Sequence, residues 1–369
     1  MSVHSYILVV IKMIWIKNYE NIRTKLRYII TAILSSLAIF ILLRYSKECS
    51  SGVLNGLIFC ISVLIPSLFI FFVLSSYLSN SKALSILSYV LKKPCEKVLR
   101  LPSICSNAIL LSIIGGYPIG AKSALSLYHM GSISKAQARK LSFIAVCSGP
   151  SFVINFIGVA LLNNKKAGII ILISQFISYI ITAVLCGVFI DTDEKTNEVS
   201  HKTTKPNLVQ AVESSVKASV SMCAMVIMFS GIIAVCDTVF QNNPVLCDII
   251  AMTLEVTTAL NRITLKYPLP VISFVTAFAT LSVHFQIFSI AKELEINKFL
   301  FFFTRIFQGI IAGVATYILL ILFPCPIEVF TSVESTSPSF SSTLVGTLAL
   351  ILTAVCFLNS LSNTKISRR

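Results

Sequence analysis

Charged side chains are scarce in this chain. Asp, Glu, Lys and Arg together make up 12% of the 369 residues, whereas hydrophobic residues make up 56%. A soluble globular protein carries roughly 25% charged residues, because its surface must be hydrated. The low charged fraction therefore excludes an ordinary soluble protein and indicates that lipid surrounds most of the chain.

Catalytic and nucleotide-binding motifs are missing as well. The sequence has no Walker A motif, no GxSxG, no HExxH and no pair of carboxylates with the spacing of a catalytic site. ATP hydrolysis and standard hydrolase chemistry therefore have no support. The eleven cysteines show no CxxC or CxxH spacing, so a metal centre is not indicated either. We expect a protein that is not an enzyme and that uses no cofactor.

Long stretches without Asp, Glu, Lys or Arg are abundant instead. A helix needs roughly 20 apolar residues to cross the hydrocarbon core of a bilayer. The uncharged stretches cover residues 28–43, 49–81, 101–121, 141–164, 167–190, 218–236, 267–291, 306–327 and 335–364. Because backbone groups must be paired within lipid, these stretches predict helices. The expected fold is an all-α, polytopic membrane protein with about 8 to 10 membrane segments.

The basic residues lie in short loops, although the net charge is +15. The positive-inside rule places such loops in the cytoplasm, so nucleic acid is not an expected partner. Basic residues precede the first span, follow the second and close the chain, whereas segment 324–343 carries Glu328 and Glu334 but no Lys or Arg. We therefore expect a multi-pass protein of the cell membrane with both termini in the cytoplasm.

One polar linker, residues 191–207, divides the membrane region into the halves 28–190 and 208–364. Residues 1–27 form a basic segment that is too short to span and reads as an interfacial helix, and 365–369 form a basic tail. Each half has a long span, then a polar segment, then an apolar segment with a break. This parallel order predicts internal repeats with discontinuous or re-entrant helices.

The clearest motif is GGYPIGAK at residues 115–122. Glycines and proline disfavour an unbroken helix, and a helix beginning near the proline would direct its amino end at an anion. The alternative is a tight turn at the membrane surface with the lysine as an ordinary anchor. The candidate substrate-binding residues of this motif are Gly115, Gly116, Tyr117, Pro118, Gly120 and Lys122.

A second helix break is expected at Ser148-Gly149-Pro150-Ser151. The two hydroxyl groups could donate hydrogen bonds to a carboxylate, so all four residues are candidates for substrate binding. Alternatively, the serines bond to their own backbone at a simple kink.

An acidic residue, Glu255, interrupts the apolar stretch 238–261. Charged residues within the membrane are costly and are therefore functional candidates, here for proton coupling or gating, together with the neighbouring Thr257. The alternative is a salt bridge at the membrane end with Arg262 and Lys266. The same stretch contains Asp248, which lies nearer a polar boundary and is expected to be interfacial.

His284 and Gln286 lie in the uncharged stretch 267–291 and are further candidates for coupling or gating. A buried histidine can transfer protons or bind a substrate, but a single one is also common in packing. Residues two apart project to different faces of a helix, which argues against a simple paired site.

Five motifs in order resemble a known family. They are IPSLFIFFVLS (65–75), GGYPIGAK (115–122), CSGPSF (147–152), LEVTTAL (254–260) and LSVHFQ (281–286). In this order they resemble sporulation integral membrane proteins of the YlbJ type, within the wider nucleoside-recognition or Gate-domain group. The resemblance covers roughly residues 58–323. The chain departs from the family pattern where Ala279-Thr280 and Thr258-Ala259 stand in place of glycine-containing pairs.

The resemblance implies a role in endospore formation, in which the mother cell moves dipicolinic acid across a membrane. The expected partners are then the lipid bilayer, a small anionic substrate and other sporulation membrane proteins. Dipicolinate is an aromatic dianion, so helix amino ends and Lys122 suit its carboxylates and Tyr117 suits its ring. A scaffold that does not transport and a carrier for nucleosides or nucleobases remain the alternative functions.

Overall fold

A computed structural model describes residues 25–26, 28–79, 82–190 and 207–325. Every regular element within these ranges is helical, which confirms the all-α prediction. The predictions for the interfacial segment 1–27, the linker 191–207, the stretch 335–364 and the tail 365–369 lie outside the described residues, except at their edges.

The helices follow one another with short connections. In chain order they are α1 (Tyr28–Arg44), α2 (Ser46–Phe59), α3 (Ile65–Ser79), α4 (Lys82–Leu87), α5 (Tyr89–Lys97), α6 (Cys105–Gly115), α7 (Tyr117–His129), α8 (Lys135–Ile144), α9 (Lys165–Phe189), α10 (Leu208–Val239), α11 (Pro244–Leu254), α12 (Val256–Ile263), α13 (Leu269–Phe278), α14 (Thr280–Ile290) and α15 (Lys298–Leu322). Two π-helical segments, Cys60–Leu64 and Ser151–Leu161, and a 3-10 turn, Lys292–Leu294, complete the described part.

Five helical stretches among the described residues are long and apolar enough to cross a membrane. They are Ser46–Leu78, Lys165–Phe189, Leu208–Val239, Leu269–Ile290 and Lys298–Leu322. Shorter apolar helices include α1, α6, α11 and the second π segment. The chain is therefore a polytopic integral membrane protein, and several of the uncharged stretches form broken helices instead of continuous spans.

Side-chain caps determine where many of the helices begin. Asparagine accepts a hydrogen bond from a first-turn backbone N–H at the start of four helices, and Ser134 forms a capping box with Gln137 at the start of α8. The four asparagine caps are Asn164 for α9, Asn207 for α10, Asn243 for α11 and Asn297 for α15. These caps satisfy first-turn N–H groups that have no partner within the helix.

The long helices pack closely through small residues. α10 packs along α2 and α3, and α15 packs along α9 and α13. A Cβ atom at Gly56 would lie 2.9 Å from the Cβ of Ser230, so the backbones of α2 and α10 approach too closely for a larger residue. The broken helices contact these groups, since α6 packs on α3, and α11 and α14 pack on α10.

Candidate functional site

Three of four helix interruptions line one small cavity. The four interruptions separate α6 from α7, α8 from the second π segment, α11 from α12, and α13 from α14. The first three contribute their own residues to the lining, and α14 contributes its first two turns. The cavity volume is about 60 Å³, which holds only a few water molecules. The polar side chains of the lining are Tyr117, Ser151, Glu255, Thr257, Ser282 and Gln286.

Glycine makes the first interruption. Gly116 has φ +85° and ψ −171°, a conformation that is essentially restricted to glycine, and it separates the end of α6 from the start of α7. Pro118 lies in the first turn of α7, where its missing N–H has no cost. Both residues line the small cavity, so the positive end of the α7 dipole borders it.

Two other residues of this motif make packing contacts. A Cβ atom at Gly120 would lie 1.9 Å from the carbonyl oxygen of Ala145, so glycine lets α7 pass the end of α8. The hydroxyl of Tyr117 donates to the carbonyl of Thr276 in α13, and its ring meets Phe152 edge-on at 6.1 Å between centroids. Tyr117 lines the cavity, whereas Gly120 lies outside it.

A buried arginine holds the second interruption. α8 ends at Ile144, where the last carbonyl groups of a helix have no helical partner. Arg305 of α15 is 1% exposed and donates to the carbonyl oxygens of Phe143 at 2.8 Å and Val146 at 3.2 Å. The guanidinium group therefore caps α8 and also complements the negative end of its dipole. Sequence reasoning overlooked Arg305, although an arginine within an apolar helix is itself a signal.

The serines of the second interruption bond to neighbouring helices. Ser148 donates to the side-chain oxygen of Gln175 in α9 at 3.3 Å, and Ser151 donates to the carbonyl of Ser67 in α3 at 2.7 Å. Gln175 in turn donates to the carbonyl of Ser273 in α13 at 3.0 Å. The segment is therefore tied directly to α9 and α3, and through Gln175 to α13, so the alternative of serines bonded to their own backbone is wrong.

An acidic cap makes the third interruption. The carboxylate of Glu255 accepts from the hydroxyl of Thr257 at 2.6 Å and from the backbone N–H of Thr258 at 2.7 Å, so it caps α12. The residue is 1% exposed and lines the small cavity. Within the described part of the chain no salt bridge involves this carboxylate.

The cations that we weighed as partners of Glu255 bind other acids. Arg262 forms salt bridges with Asp237 at 2.6 Å and with Asp248, and Lys266 lies 3.5 Å from Asp248. Tyr267 also donates to Asp248, at 3.1 Å. The salt-bridge alternative for Glu255 is therefore wrong, because this polar cluster joins the ends of α10, α11 and α12 away from the cavity.

The fourth interruption uses residues other than glycine. Ala279 has φ +62° and Thr280 has φ +46°, so both adopt the left-handed conformation. The ring of His284 bonds to the carbonyl oxygen of Phe278 at 2.9 Å and packs among phenylalanine rings. Gln286 lines the small cavity and His284 does not, so the two residues form no paired site, as their spacing predicts.

A larger cavity adjoins the small one, and Phe72, Pro118 and Gln286 line both. Its volume is about 580 Å³, within the usual range for small-molecule sites. Lys122 of α7 and Lys217 of α10 line it, and Lys122 donates a hydrogen bond to Ser214. Lys122 therefore lies in the larger cavity, apart from the glycines of its motif.

The structure brings most of the candidate residues together. Those that line the small cavity are Gly115, Gly116, Tyr117, Pro118, Gly149, Ser151, Glu255, Thr257 and Gln286. Lys122 lines only the larger cavity, whereas Gly120, Ser148, Pro150 and His284 line neither.

Comparison with known proteins agrees with the motifs. The chain is similar to the sporulation integral membrane protein YlbJ of Bacillus subtilis (strain 168), with 22% identity over 309 residues, which cover 72% of this chain and 76% of the relative. No family model matches the chain, and no solved structure matches it. The chain is thus an integral membrane protein with the YlbJ-type resemblance that its five motifs predict.

Proposed function

We propose that the protein is a membrane transporter for a small organic anion, and that dipicolinic acid, during endospore formation, is its substrate. The meeting of three helix interruptions and the first turns of α14 at one cavity carries this proposal. Irregular backbone at membrane depth persists where it lines a cavity, and transporters form their substrate sites from discontinuous helices. The similarity to a protein named for sporulation supports the biological setting.

The chemistry of the two cavities suits an aromatic dianion. The amino end of α7 borders the small cavity and attracts negative charge, and Lys122 adds a full positive charge in the adjoining cavity. Phe72 lines both cavities and offers an aromatic face at their junction. The amino end of α12 is already neutralised by the carboxylate of Glu255, which caps it.

The small cavity requires movement before it can hold this substrate. Its volume of about 60 Å³ is less than a pyridine dicarboxylate occupies, whereas the larger cavity has room. In our proposal the substrate enters the larger cavity and passes Pro118 and Gln286 when α6–α7 and α11–α12 separate. Glu255 and Thr257, at the junction of α11 and α12, act in gating or in coupling to an ion.

The larger cavity faces the cytoplasm in this proposal. Leu84 and Ser85 of α4 belong to its lining, and α5, which follows directly, carries Lys92 and Lys93. Such basic segments remain in the cytoplasm under the positive-inside rule. Cytoplasmic termini, a mother-cell membrane and contacts with other sporulation membrane proteins complete the proposed setting.

Uptake of labelled dipicolinate into liposomes that contain the purified protein tests the proposal. We expect saturable uptake that unlabelled dipicolinate inhibits and uridine does not. Lys122→Ala should lower uptake about tenfold, since a charge-assisted hydrogen bond contributes roughly 1.5–3 kcal/mol. Lys166→Ala is the matched control, because Lys166 is exposed at the start of α9 and lines neither cavity.

Two results would contradict the proposal. Folded protein that takes up neither compound would indicate a scaffold for other sporulation membrane proteins. Uptake of uridine in preference to dipicolinate would indicate a nucleoside carrier.

A further inference from the structure

Two lysines from different helices line the larger cavity. Lys122 belongs to α7 and Lys217 to α10. The cavity thus receives one ammonium group from each of two helices. Among the described residues that line this cavity there is no Asp or Glu. The larger cavity therefore places positive charge next to the small cavity.

Neither lysine forms a salt bridge with any residue that the structure describes. Lys122 donates to the neutral hydroxyl of Ser214, and no salt bridge in the described part of the chain involves Lys122 or Lys217. Two like charges in one partly enclosed space attract a counter-ion more strongly than either would alone. An anion that enters the cavity therefore meets two ammonium groups that form no salt bridge with the described residues.

The polar groups around the lysines have the spacing of a binding face. Gln210, Ser214, Lys217 and Ser221 recur at intervals of four, three and four residues, which places them on one side of α10. Ser126 lies four residues after Lys122 and so shares its face of α7. The two helices thus line the cavity with hydroxyl and amide donors on either side of the lysines.

We propose that the larger cavity is a separate binding site for small dianions, in which Lys122 and Lys217 each engage one carboxylate. The site selects dicarboxylates over monocarboxylates before the ligand reaches the small cavity. This inference deepens the proposed transport function by assigning its charge selectivity to Lys217. Binding at this site does not require the transport cycle, so the two claims can fail separately.

Calorimetric titration of the full-length protein tests the selectivity. The probes are pyridine-2,6-dicarboxylate and pyridine-2-carboxylate, which differ by one carboxylate. We expect the wild type to bind the dicarboxylate about tenfold more tightly, because one additional charge-assisted contact is made. Lys217→Gln should reduce this preference to about twofold or less, Lys217→Arg should retain it, and Lys166→Gln should leave it unchanged.

The outcomes separate the inference from the transport function. A dicarboxylate preference that survives Lys217→Gln overturns the inference, even when the wild type transports dipicolinate. A preference that depends on Lys217 in protein without transport activity supports the site and contradicts the transporter. Because Lys217 is exposed on α10, the glutamine variant should fold normally.

Thiol labelling measures the charge of the cavity without any transport. Ser221→Cys places a thiol in the lining, and the unsubstituted protein gives the background from native cysteines. A negatively charged methanethiosulfonate should label this thiol at least about tenfold faster than a positively charged one, because the cavity concentrates anions. Lys217→Gln should lower that ratio, and the dicarboxylate should slow labelling. Equal rates for the two reagents would overturn the inference.

Discussion

The two halves of the membrane region interrupt their helices by different means. In the first half, glycine and proline break the helices, and Gly116 adopts a conformation that other residues avoid. In the second half, a carboxylate caps α12 at Glu255, and the ordinary residues Ala279 and Thr280 adopt left-handed backbone angles. The first half thus breaks its helices with residues that suit a break, whereas the second half relies on a side-chain cap and on left-handed angles at ordinary residues.

The difference has an energetic consequence. The left-handed conformation costs a residue with a Cβ atom roughly 1–2 kcal/mol, so packing in the second half must offset this cost. Ala279 and Thr280 are both fully buried, and the hydroxyl of Thr280 lies 3.3 Å from that of Ser282. We therefore expect substitutions at the first-half breaks to destabilise, and a glycine in the second half to stabilise.

The largest effect is expected at Arg305, where the second half holds an interruption of the first. Arg305→Met should lower the free energy of unfolding by about 3 kcal/mol, because two buried carbonyl groups lose their donor. Thermal denaturation in detergent measures the change. The control is Arg139→Met, since Arg139 is only partly buried and donates to one carbonyl, that of Leu294. Equal stability of the two variants would show that Arg305 does not hold the end of α8.

Next in size is the glycine at the first interruption. Gly116→Ala should lower the free energy of unfolding by about 2 kcal/mol, because its φ and ψ angles are essentially restricted to glycine. The matched control is Gly131→Ala, as Gly131 also has a positive φ but nothing within 4 Å of an added Cβ. That control should cost about 1 kcal/mol and leave dipicolinate binding intact. A smaller loss for Gly116→Ala than for the control would contradict the comparison.

At the third interruption, two substitutions of Glu255 separate its role as a helix cap from its role in gating or coupling. Glu255→Ala should lower stability by about 1 kcal/mol, the usual value of a lost helix cap. Glu255→Gln retains an oxygen that can accept from Thr258 and should be more stable than the alanine variant. Both variants should lose uptake of dipicolinate if the carboxylate serves in gating or coupling. Full uptake by Glu255→Gln would restrict Glu255 to a structural role.

The smallest effect concerns the fourth interruption. Ala279→Gly should raise the free energy of unfolding by about 0.5 kcal/mol, since relief of the left-handed cost exceeds the added freedom of the unfolded chain. Ala277→Gly, within the same helix α13, should instead lower it by roughly 0.5–1 kcal/mol. Thermal denaturation shows whether each variant is more or less stable than the unsubstituted protein. A destabilised Ala279→Gly variant would mean that packing of the alanine methyl group outweighs the relief of the left-handed conformation.

The sequence allowed the local features of this architecture to be predicted. Glycine and proline indicate the helix breaks at Gly116 and Gly149, because these residue types have strong backbone preferences. The isolated acid Glu255 is indicated as a functional candidate, because a charge within an apolar stretch is costly. The left-handed angles of Ala279 could not be predicted, since alanine favours a helix and only tertiary contacts hold it otherwise.

Features that depend on contacts between distant parts of the chain could not be predicted from the sequence either. Arg305 acts on α8, about 160 residues earlier in the chain, and no local pattern links the two. Lys217 directly precedes the uncharged stretch 218–236 and reads as an ordinary charge at the end of a span, although it lines the same cavity as Lys122. Conversely, the apolar context of His284 indicated a functional candidate, whereas the structure surrounds it with phenylalanine rings.

The central claim, a site for a small aromatic dianion beside the helix interruptions, is tested most directly by ligand-induced thermal stabilisation of the purified protein. Any ligand that prefers the folded state raises apparent stability by mass action. Dipicolinate, uridine and a non-aromatic dicarboxylate should be compared on the wild type and on Lys122→Ala. The account predicts stabilisation by dipicolinate that is lost in Lys122→Ala, and folded protein that responds to none of the three ligands would contradict it.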